Sequence, residues 1–458
     1  MRVIICGAGQ VGYGIAERLA AEKNDVSIID TAPGLIHAVR DSLDVRGFVG
    51  HGAHPDVLEM AGAKEADMII AVTLFDEVNI VACEVAHALF GVPVKIARIR
   101  SQSYLQPHYA DLFSRDHVPI DVVISPEIEA GEMVLRRIAL PGADDVVRFA
   151  DGKIIMVAIE CLEDCPVVNT PLAQLSQLFP DLPSTVVGYS RDGQLFIAHS
   201  ADQLLVGDRA YVVTTKDQVK RTLGLFGHEE KEASRIVIAG GGNIGLYVAK
   251  TIEQRRGRAR LKLIESSKER AEIIADQLRE TIVLHGNALD EKLLHQAEIQ
   301  DADLMVALTN SDQVNILSSV MAKRLGCRSS LTLINNPAYT DLSRAVGIDA
   351  QVNPGSVTIS RVLQHVRRGR IRAVHSVDKG AGEIIEAEAL ETSPLVGAPL
   401  TELELPDGMR IGAIYRAGAV LKPSGSLRIK AKDRVVIFSL AKAVKDVEQL
   451  FRVSLEFF

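Results

Sequence analysis

Apolar runs of strand length alternate with segments of helical periodicity along the first part of the chain. Five strands are predicted, at residues 3–6, 26–29, 45–49, 68–73 and 94–98. The run 68–73 is unbroken, as is typical of a strand in a parallel sheet that is covered on both faces. The segment 76–90 has helical spacing and ends at Gly91, a residue suited to the position that follows a helix. The pattern predicts a parallel sheet with helices packed on both sides.

A glycine-rich turn, GAGQVG, joins the first predicted strand to the first predicted helix. In this spacing Gly7 permits a tight turn, Gly9 leaves room for a pyrophosphate to approach the backbone, and Gly12 lets the helix pack closely on the sheet. The start of the helix directs unpaired N–H groups and its positive dipole end toward phosphates. Asp30 ends the second strand, where its carboxylate can accept hydrogen bonds from an adenosine ribose. Strand, glycine turn, helix and acid together predict a dinucleotide site rather than a purely structural turn.

The acid Asp30 bears on the choice of cofactor, and three further residues are predicted to line the site. The carboxylate of Asp30 would repel a 2′-phosphate and Thr31 offers no cation, which favours NAD over NADP. Thr73 and Leu74 lie at the carboxyl end of the fourth predicted strand, beside the crevice where such sheets bind ligands. Arg98 ends the fifth strand, where it can contact a phosphate or stack on adenine. A surface ion pair is the alternative role for Arg98.

Beyond the first sheet, the pattern predicts one more helix and then a small separate module. Ser125 fits a helix N-cap with proline after it, and the apolar residues of 128–138 are placed to face either a partner subunit or the core. From residue 144 to about 226, short β-rich runs dominate, and 191–193 (Arg-Asp-Gly) is typical of a hairpin turn. These runs predict a small α+β module, which a polar linker at 228–232 follows.

From residue 235 onward, the sequence pattern of the first half is repeated. A strand at 235–239 leads into a second glycine turn, GGGNIG, and a strand at 261–264 ends at Glu265. AVTLFDEVNI in the first half recurs as ALTNSDQVNI in the second, and CPVVNTPLAQL recurs as SPLVGAPLTEL. Repetition on this scale predicts a tandem duplication of a two-part unit.

Composition narrows the class of protein. A chain of 458 residues with 47% hydrophobic and 24% charged residues is typical of a globular protein of about three or four domains. The net charge of −8 argues against nucleic acid as a partner. No apolar run approaches the ~20 residues that cross a bilayer, and we expect no signal peptide, because the first residues already belong to the predicted strand and glycine turn. The five cysteines lack the spacing of a metal site, so we expect no bound metal, and we interpret Cys161 and Cys165 as core or loop thiols.

These motifs and the double repeat resemble, over essentially the whole chain, the RCK family (regulator of potassium conductance, also called KTN) of bacterial potassium-uptake regulators. The resemblance implies an α/β fold of two Rossmann-like parallel-sheet RCK N domains, each followed by a small α+β RCK C module. It also implies a homotetrameric ring, peripheral on the cytoplasmic inner face of the cell membrane. Such a ring binds NAD(H), with ATP or ADP as further ligands, and gates a membrane potassium transporter of the TrkH type.

The repeats and the resemblance together place the domain boundaries. We expect the first Rossmann domain at 1–142, the first C module at 143–227, a linker at 228–233, the second Rossmann domain at 234–369 and the second C module at 370–458.

The resemblance also assigns cofactor-binding positions residue by residue. In the first repeat these are Gly7, Gly9, Gln10, Val11, Gly12, Asp30, Thr73, Leu74 and Arg98. In the second repeat they are Gly240, Gly242, Asn243, Ile244, Gly245, Glu265 and Thr309. The second set departs from the first, because Leu333 aligns with Arg98 and Asn310 with Leu74. We therefore expect the second site to bind nucleotide more weakly, or to prefer a less charged ligand such as AMP or adenosine.

An NAD-dependent dehydrogenase is the alternative function that the glycine turn alone would suggest. Dehydrogenases place a histidine, lysine or tyrosine acid–base group beside the nicotinamide. Neither small module contains such a grouping, and a duplicated site suits a switch better than one hydride transfer. We expect a regulatory subunit without catalytic residues.

Overall fold

The computed structural model describes residues 1–114, 116–255, 259–336, 338–366 and 371–451. The chain divides into two compact units. The N unit consists of Met1–Glu132 with Ser234–His365, and the C unit of Met133–Ala233 with Val366–Phe458. The expected boundary between residues 369 and 370, and residues 452–458, lie outside the described residues. Within the described ranges, no helix is both long enough and apolar enough to cross a membrane.

The first Rossmann domain is one parallel sheet with its helices. The strands are β1 (Arg2–Cys6), β2 (Asp25–Asp30), β3 (Arg46–Val49), β4 (Met68–Ala71), β5 (Val94–Arg98) and β6 (Val122–Ile124). The helices are α1 (Gln10–Ala21), α2 (Pro33–Ser42), α3 (Pro55–Met60), α4 (Asp76–Phe90) and α5 (Pro126–Ala139), with 3-10 turns at Ala63–Glu65 and Pro107–Phe113. The order β3-β2-β1-β4-β5-β6 is that of dinucleotide-binding sheets. The predicted strand at 68–73 ends early because the N–H of Thr73 donates to the side chain of Asn79 rather than to the sheet.

The first C module is an antiparallel sheet. Its strands are β7 (Asp145–Phe149), β8 (Ile154–Glu160), β9 (Thr185–Arg191), β10 (Gln194–Ile197) and β11 (Arg209–Thr215). Its helices are α6 (Leu172–Leu178) and α7 (Val219–Leu225), with a 3-10 turn at Ala150–Gly152. The strand order is β7-β8-β11-β9-β10. Asp192 and Gly193 both have positive φ, at 51° and 75°, as the type I′ turn of a two-residue hairpin requires. The predicted hairpin is confirmed.

The second half of the chain repeats both folds. The parallel strands are β12 (Arg235–Ala239), β13 (Arg260–Glu265), β14 (Ile282–His285), β15 (Leu304–Ala307), β16 (Ser329–Leu333) and β17 (Ala350–Val352). The helices are α8 (Asn243–Gln254), α9 (Lys268–Gln277), α10 (Glu291–Gln296), α11 (Asp312–Arg324), α12 (Tyr339–Ala345) and α13 (Pro354–Val366), with a 3-10 turn at Ile299–Asp301. The order β14-β13-β12-β15-β16-β17 repeats that of the first sheet.

The second C module closes the described chain. Its strands are β18 (Ile371–Val377), β19 (Gly382–Glu388), β20 (Met409–Arg416), β21 (Ala419–Leu421) and β22 (Arg434–Leu440). Its helix is α14 (Val444–Gln449), with 3-10 turns at Asp378–Gly380, Leu400–Glu402 and Ala441–Ala443. The order β18-β19-β22-β20-β21 is that of the first module, strand for strand. The predicted fold class, a tandem duplication of a Rossmann-like domain and a small α+β module, is confirmed.

Within the N unit, α5 packs against the second Rossmann domain. The hydroxyl of Tyr247 donates to the carboxylate of Glu132 at 2.7 Å, and Arg361 Nε lies 3.3 Å from Glu129 Oε1. A Cβ on Gly131 would lie 2.4 Å from the ring of Tyr247, so the helices touch closely there. The first turns of this helix therefore lie in an interface between the two repeats of one chain.

Within the C unit, the two C modules share a core. The rings of Tyr211 and Phe438 lie 5.4 Å apart, and a Cβ on Gly188 would lie 2.4 Å from Phe438. His375 Nε2 lies 2.7 Å from Asp145 Oδ2. Burial of the Asp145 carboxyl raises its pKa, but the neighbouring His375 outweighs burial and the pKa is lowered. The two sheets are thus joined by both apolar and charged contacts.

Asp303 secures the first strand of the second Rossmann domain, and its ionisation makes that anchoring sensitive to pH. Its Oδ2 accepts hydrogen bonds from the backbone N–H groups of Ser234 and Arg235, at 2.7 and 2.9 Å. Burial opposes ionisation, yet a hydrogen bond from the Ser234 hydroxyl at 2.8 Å, together with these two backbone bonds, lowers the pKa of Asp303 from 3.8 to about 2. The resulting stabilisation is complete above about pH 4 and is lost as the pH falls through 2.

We expect Asp303→Asn to lower the free energy of unfolding by about 2 kcal/mol at pH 7, and by about half as much at pH 3. Urea unfolding of both proteins at pH 7, 5 and 3 measures the difference. Asp301→Asn is the matched control, because its carboxylate is exposed and lies 4.0 Å from Arg235. A difference for Asp303→Asn that does not change with pH would contradict this assignment.

Candidate functional site

The glycine turn between β1 and α1 forms the floor of a crevice at the carboxyl ends of the strands. Gly7 has φ of 109°, and a Cβ there would lie 3.0 Å from the backbone of Val72 and Thr73. A Cβ on Gly12 would lie only 1.8 Å from Gly7 O, so this glycine is required by close packing of helix on strand. A Cβ on Gly9 would meet nothing within 4 Å. The open side of Gly9 is where the turn can admit a ligand.

Asp30 lies beside this turn and holds its shape. Its Oδ2 accepts a hydrogen bond from the N–H of Ala8 at 2.7 Å, and its Oδ1 accepts one from the N–H of Ala32 at 2.9 Å. A carboxylate oxygen has more than one acceptor position, so both oxygens retain acceptor capacity. The acid therefore has two roles that are compatible, bracing the glycine turn and offering acceptors to a ribose.

A buried asparagine that the sequence analysis did not single out ties two strand ends together. The Oδ1 of Asn79 accepts hydrogen bonds from the N–H and the hydroxyl of Thr73, at 2.9 and 2.7 Å. Its Nδ2 donates to Thr73 O at 3.3 Å and to Arg98 O at 2.9 Å. Asn79 lies on α4 and is fully buried. Its four hydrogen bonds fix the ends of β4 and β5 against this helix.

Arg98 lies at this junction, and its guanidinium is only partly hydrogen-bonded. Its Nη1 donates to Thr73 O at a long 3.4 Å, and its Nε is buried without a hydrogen-bond partner in the described part of the chain. Burial, and then the neighbouring Arg100 guanidinium, lower the pKa of Arg98. Of the nearby carboxylates, which oppose this lowering, Asp76 accepts from the N–H of Arg100 and Glu127 Oε1 accepts from its Nε, while Glu127 Oε2 is buried without a hydrogen-bond partner in the described residues. A ligand anion would supply the partner that Arg98 lacks.

The second crevice repeats the first in its backbone. A Cβ on Gly245 would lie 2.0 Å from Gly240 O, and a Cβ on Gly242 would meet nothing within 4 Å. Glu265 accepts a hydrogen bond from the N–H of Gly241 at 2.7 Å, as Asp30 does from Ala8. Its other oxygen accepts one from the N–H of Ser267 at 2.8 Å.

The buried asparagine is also repeated. Asn315 accepts from the N–H and hydroxyl of Thr309, at 2.8 and 2.6 Å, and donates to Thr309 O and Leu333 O, both at 3.0 Å. Because the same amide contacts Arg98 O in one repeat and Leu333 O in the other, the structure bears out the alignment of these two residues. The signal for both asparagines was present in the repeated segments, in which Asp and Asn keep their spacing.

The two crevices differ in where they carry positive charge. Leu333 is buried and replaces Arg98, so the cation at the end of the fifth strand is absent from the second crevice. Arg270 instead lies on the acid's side, where its Nε donates to Gly241 O at 2.9 Å. Leu35 occupies the corresponding place in the first repeat. The loss of the cation at Leu333 was predicted from the sequence, whereas the cation at Arg270 was not.

The remaining candidate residues line the crevices to different degrees. Gln10 and Asn243 are exposed at the first positions of α1 and α8, and Val11 and Ile244 follow them half-buried. Leu74 is 70% exposed. The candidate residues of each crevice thus lie at strand ends, in the glycine turn or at the start of the following helix, and their part in binding stays a prediction.

Cys161 and Cys165 are buried free thiols of the first C module, as the sequence analysis interpreted them. Across the described residues, no group of three or more histidine, cysteine, aspartate or glutamate side chains is arranged to hold a metal ion.

Comparisons with known proteins place this architecture in a family. Residues 3–126 and 236–354 match the TrkA-N domain, and residues 384–452 match the TrkA-C domain. The Trk system potassium uptake protein TrkA of Azorhizobium caulinodans is 60% identical over 458 residues, which cover 100% of both chains.

Solved structures show the same fold at low identity. The GsuK RCK domain is 17% identical with a TM-score of 0.60, covering 98% of this chain and 94% of that one. The GsuK channel bound to NAD is also 17% identical, with a TM-score of 0.59, covering 98% of this chain and 78% of that one.

The family is named for potassium uptake and not for a catalysed reaction, so the expectation of a non-enzyme is confirmed and the dehydrogenase alternative is set aside. The sequence match spans the full chain and both kinds of domain. This chain therefore belongs to the TrkA family of Trk system potassium uptake proteins.

Proposed function

We propose that this protein is the nucleotide-responsive regulatory subunit of a membrane potassium transporter of the TrkH type. Membership of the TrkA family supports the role in potassium uptake. The ligand is an adenine nucleotide, NAD(H) in the first instance, with ATP or ADP as further ligands. A channel of the same fold, GsuK, is described as bound to NAD.

The observation that carries the nucleotide assignment is the unsatisfied Arg98 at the edge of a crevice whose glycine turn is open at Gly9. In this assignment the N-terminus of α1 and Arg98 hold the phosphates, and Asp30 accepts from the adenosine ribose. Thr73, held by Asn79, lines the wall between them. The acid at Asp30 favours NAD over NADP, because a 2′-phosphate would meet a carboxylate.

The two crevices are unequal in this proposal. The first has Arg98 where phosphates approach, whereas the second has buried Leu333 there and Arg270 beside its acid. The second crevice therefore binds NADH more weakly, or takes a less charged ligand such as AMP or adenosine.

We expect Arg98→Gln to weaken NADH binding about 10- to 100-fold, because a charged hydrogen bond of about 1.5–3 kcal/mol is lost. Isothermal titration of the full chain measures this directly. Arg270→Gln is the matched control at the second crevice and leaves the stronger binding event unchanged. Equal loss in both variants, or loss with Arg270→Gln alone, would contradict the ranking of the two crevices.

The assembly is a homotetramer, peripheral on the inner face of the membrane, in which nucleotide shifts a two-state equilibrium. Moving such an assembly from mostly closed to mostly open requires about 5.5 kcal/mol of differential binding. Shared among four subunits, this is about 1.4 kcal/mol each, or about a tenfold preference per site. A ligand with equal affinity for both states would shift nothing.

Potassium flux into vesicles that contain the membrane subunit and this protein tests the gating role. We expect flux to differ between NADH, NAD, ATP and ADP, and the difference to disappear with Arg98→Gln. Equal flux with every nucleotide and with none would refute gating by nucleotide, whatever the titrations show.

A further inference from the structure

The C unit contains a cavity of about 160 Å³ that the nucleotide crevices do not explain. It lies in the first C module between β9, β11, α6 and α7, and its wall is part apolar and part polar. Leu172, Phe179, Leu182, Val212 and Phe226 supply much of that wall. In another protein, an engineered apolar cavity of about 150 Å³ binds benzene. The space here therefore suits one small ring or a short branched chain.

Two cations from the second C module close one side of this cavity. The guanidinium of Arg410, on β20, donates to Ala198 O, and the ammonium of Lys422, just after β21, donates to Leu182 O at 3.1 Å. Burial lowers the pKa of both groups, against the opposing charge of Asp202 in the case of Arg410. Over the described ranges, neither forms an ion pair with a carboxylate within 4 Å. Their hydrogen bonds go to backbone carbonyls, and Asp202 offsets the charge of Arg410 only in part, since the pKa of Arg410 is still lowered.

A comparison of the two C modules shows that the position of Arg410 carries a cation in only one of them. Arg191 binds Asp208 and Arg416 binds Asp433, both at 2.6 Å, so β9 and β20 are equivalent strands in the same register. Thr185 is opposite Val213 on β11, and Arg410 is opposite the corresponding Phe438 on β22.

Thr185 and Arg410 are thus equivalent positions, and both line the one cavity. Among the described residues, the Thr185 hydroxyl is buried without a hydrogen-bond partner. The cavity therefore combines an unpaired hydroxyl, two cations without an ion-pair partner within 4 Å among the described residues, and apolar side chains on part of its wall.

We infer that this cavity is a binding site for a small monoanionic carboxylate with an apolar body of about the size of benzoate. The carboxylate lies between Arg410 and Lys422 and accepts a hydrogen bond from Thr185, while the apolar body packs against residues such as Leu172 and Phe179. A dianion is a poorer occupant, because the Asp202 carboxylate already opposes the charge of Arg410, so that one further negative charge balances the two cations. This site lies in the C unit and does not depend on nucleotide binding in the N unit.

Titration of the full chain with 4-fluorobenzoate, followed by ¹⁹F NMR, tests the inference. We expect saturable binding, and at least a tenfold weakening in both Arg410→Gln and Lys422→Gln, because each removes a charged hydrogen-bond donor. Lys445→Gln makes the same change of charge at an exposed position outside the cavity and leaves binding unchanged. Neutral fluorobenzene binds the wild-type chain more weakly than 4-fluorobenzoate does.

Several outcomes would overturn the assignment. These are no saturable binding to the wild-type chain, equal affinity in all three lysine and arginine variants, or displacement of the probe by inorganic phosphate at a lower concentration than by benzoate. Thermal melts accompany each titration, and if Arg410→Gln fails to fold, Lys422→Gln decides, because Lys422 is only half-buried.

Discussion

Gly9→Ser is expected to weaken NADH binding at the first crevice at least tenfold while leaving the stability of the protein nearly unchanged. Gly9 is the N-cap of α1, with φ of −67°, a conformation that serine adopts readily. Serine is a favoured N-cap, and exchange between serine and glycine there changes stability by only a few tenths of a kcal/mol. Its hydroxyl, however, accepts from the helix N–H groups that would otherwise face the phosphates, and its Cβ occupies the open side of the turn.

A substitution at Gly12 is expected to have the opposite effect, a loss of stability, and provides the contrast to Gly9→Ser. A Cβ there would lie 1.8 Å from Gly7 O, so Gly12→Ala forces helix and strand apart. We expect it to destabilise the domain by about 1–3 kcal/mol, as overpacking does. Gly242→Ser is the matched control in the second crevice, where a Cβ is equally free. Titration with NADH and thermal unfolding distinguish the variants. NADH affinity that survives Gly9→Ser would place the ligand elsewhere.

Asn79→Ala is expected to cost about 3–5 kcal/mol of stability and most of the NADH affinity. The fully buried amide makes four hydrogen bonds, and its removal leaves the N–H of Thr73 and Arg98 O without partners. Each unsatisfied buried group costs about 1–3 kcal/mol. Because the same bonds set the ends of β4 and β5, the wall of the crevice and the backbone of Arg98 lose their anchor together.

Asn315→Ala is the control for this second prediction. It removes the equivalent four bonds from the second repeat, so we expect a similar loss of stability with the NADH affinity of the first crevice retained. Urea unfolding at pH 7 and titration with NADH measure the two effects. An Asn79→Ala protein that unfolds at the wild-type urea concentration would show that the amide is not an anchor.

The inferred carboxylate site is a second consequence of the duplication in this protein, which acts in potassium uptake. In the N unit, the two copies keep the same backbone and differ at Arg98 and Leu333. In the C unit, Thr185 and Arg410 are equivalent positions that meet at one cavity. Duplication has thus produced both two unequal crevices and one composite pocket from equivalent positions.

The sequence by itself determined the features that depend on local pattern. Apolar periodicity predicted five of the six parallel strands of the first Rossmann domain, all but β6, and the helix α4 at its observed bounds, Asp76–Phe90. The glycine spacing predicted the turn at Gly7, because only certain residues satisfy the sterics of that backbone. Internal repetition predicted two copies of each fold, since similar sequences have similar preferences for helix, strand and turn.

Only the tertiary structure decided the features that join residues distant along the chain. The anchoring role of Asn79 depends on β5, which lies nineteen residues further along the chain, and a buried asparagine has no periodic signal of its own. That Arg98 Nε has no partner among the described residues depends on where Asp76 and Glu127 lie, since neither carboxylate is hydrogen-bonded to it and both bind Arg100. The cavity between Thr185 and Arg410 requires two modules to share a core. These arrangements follow from packing in three dimensions, and packing determines which polar groups find partners and which remain available to a ligand.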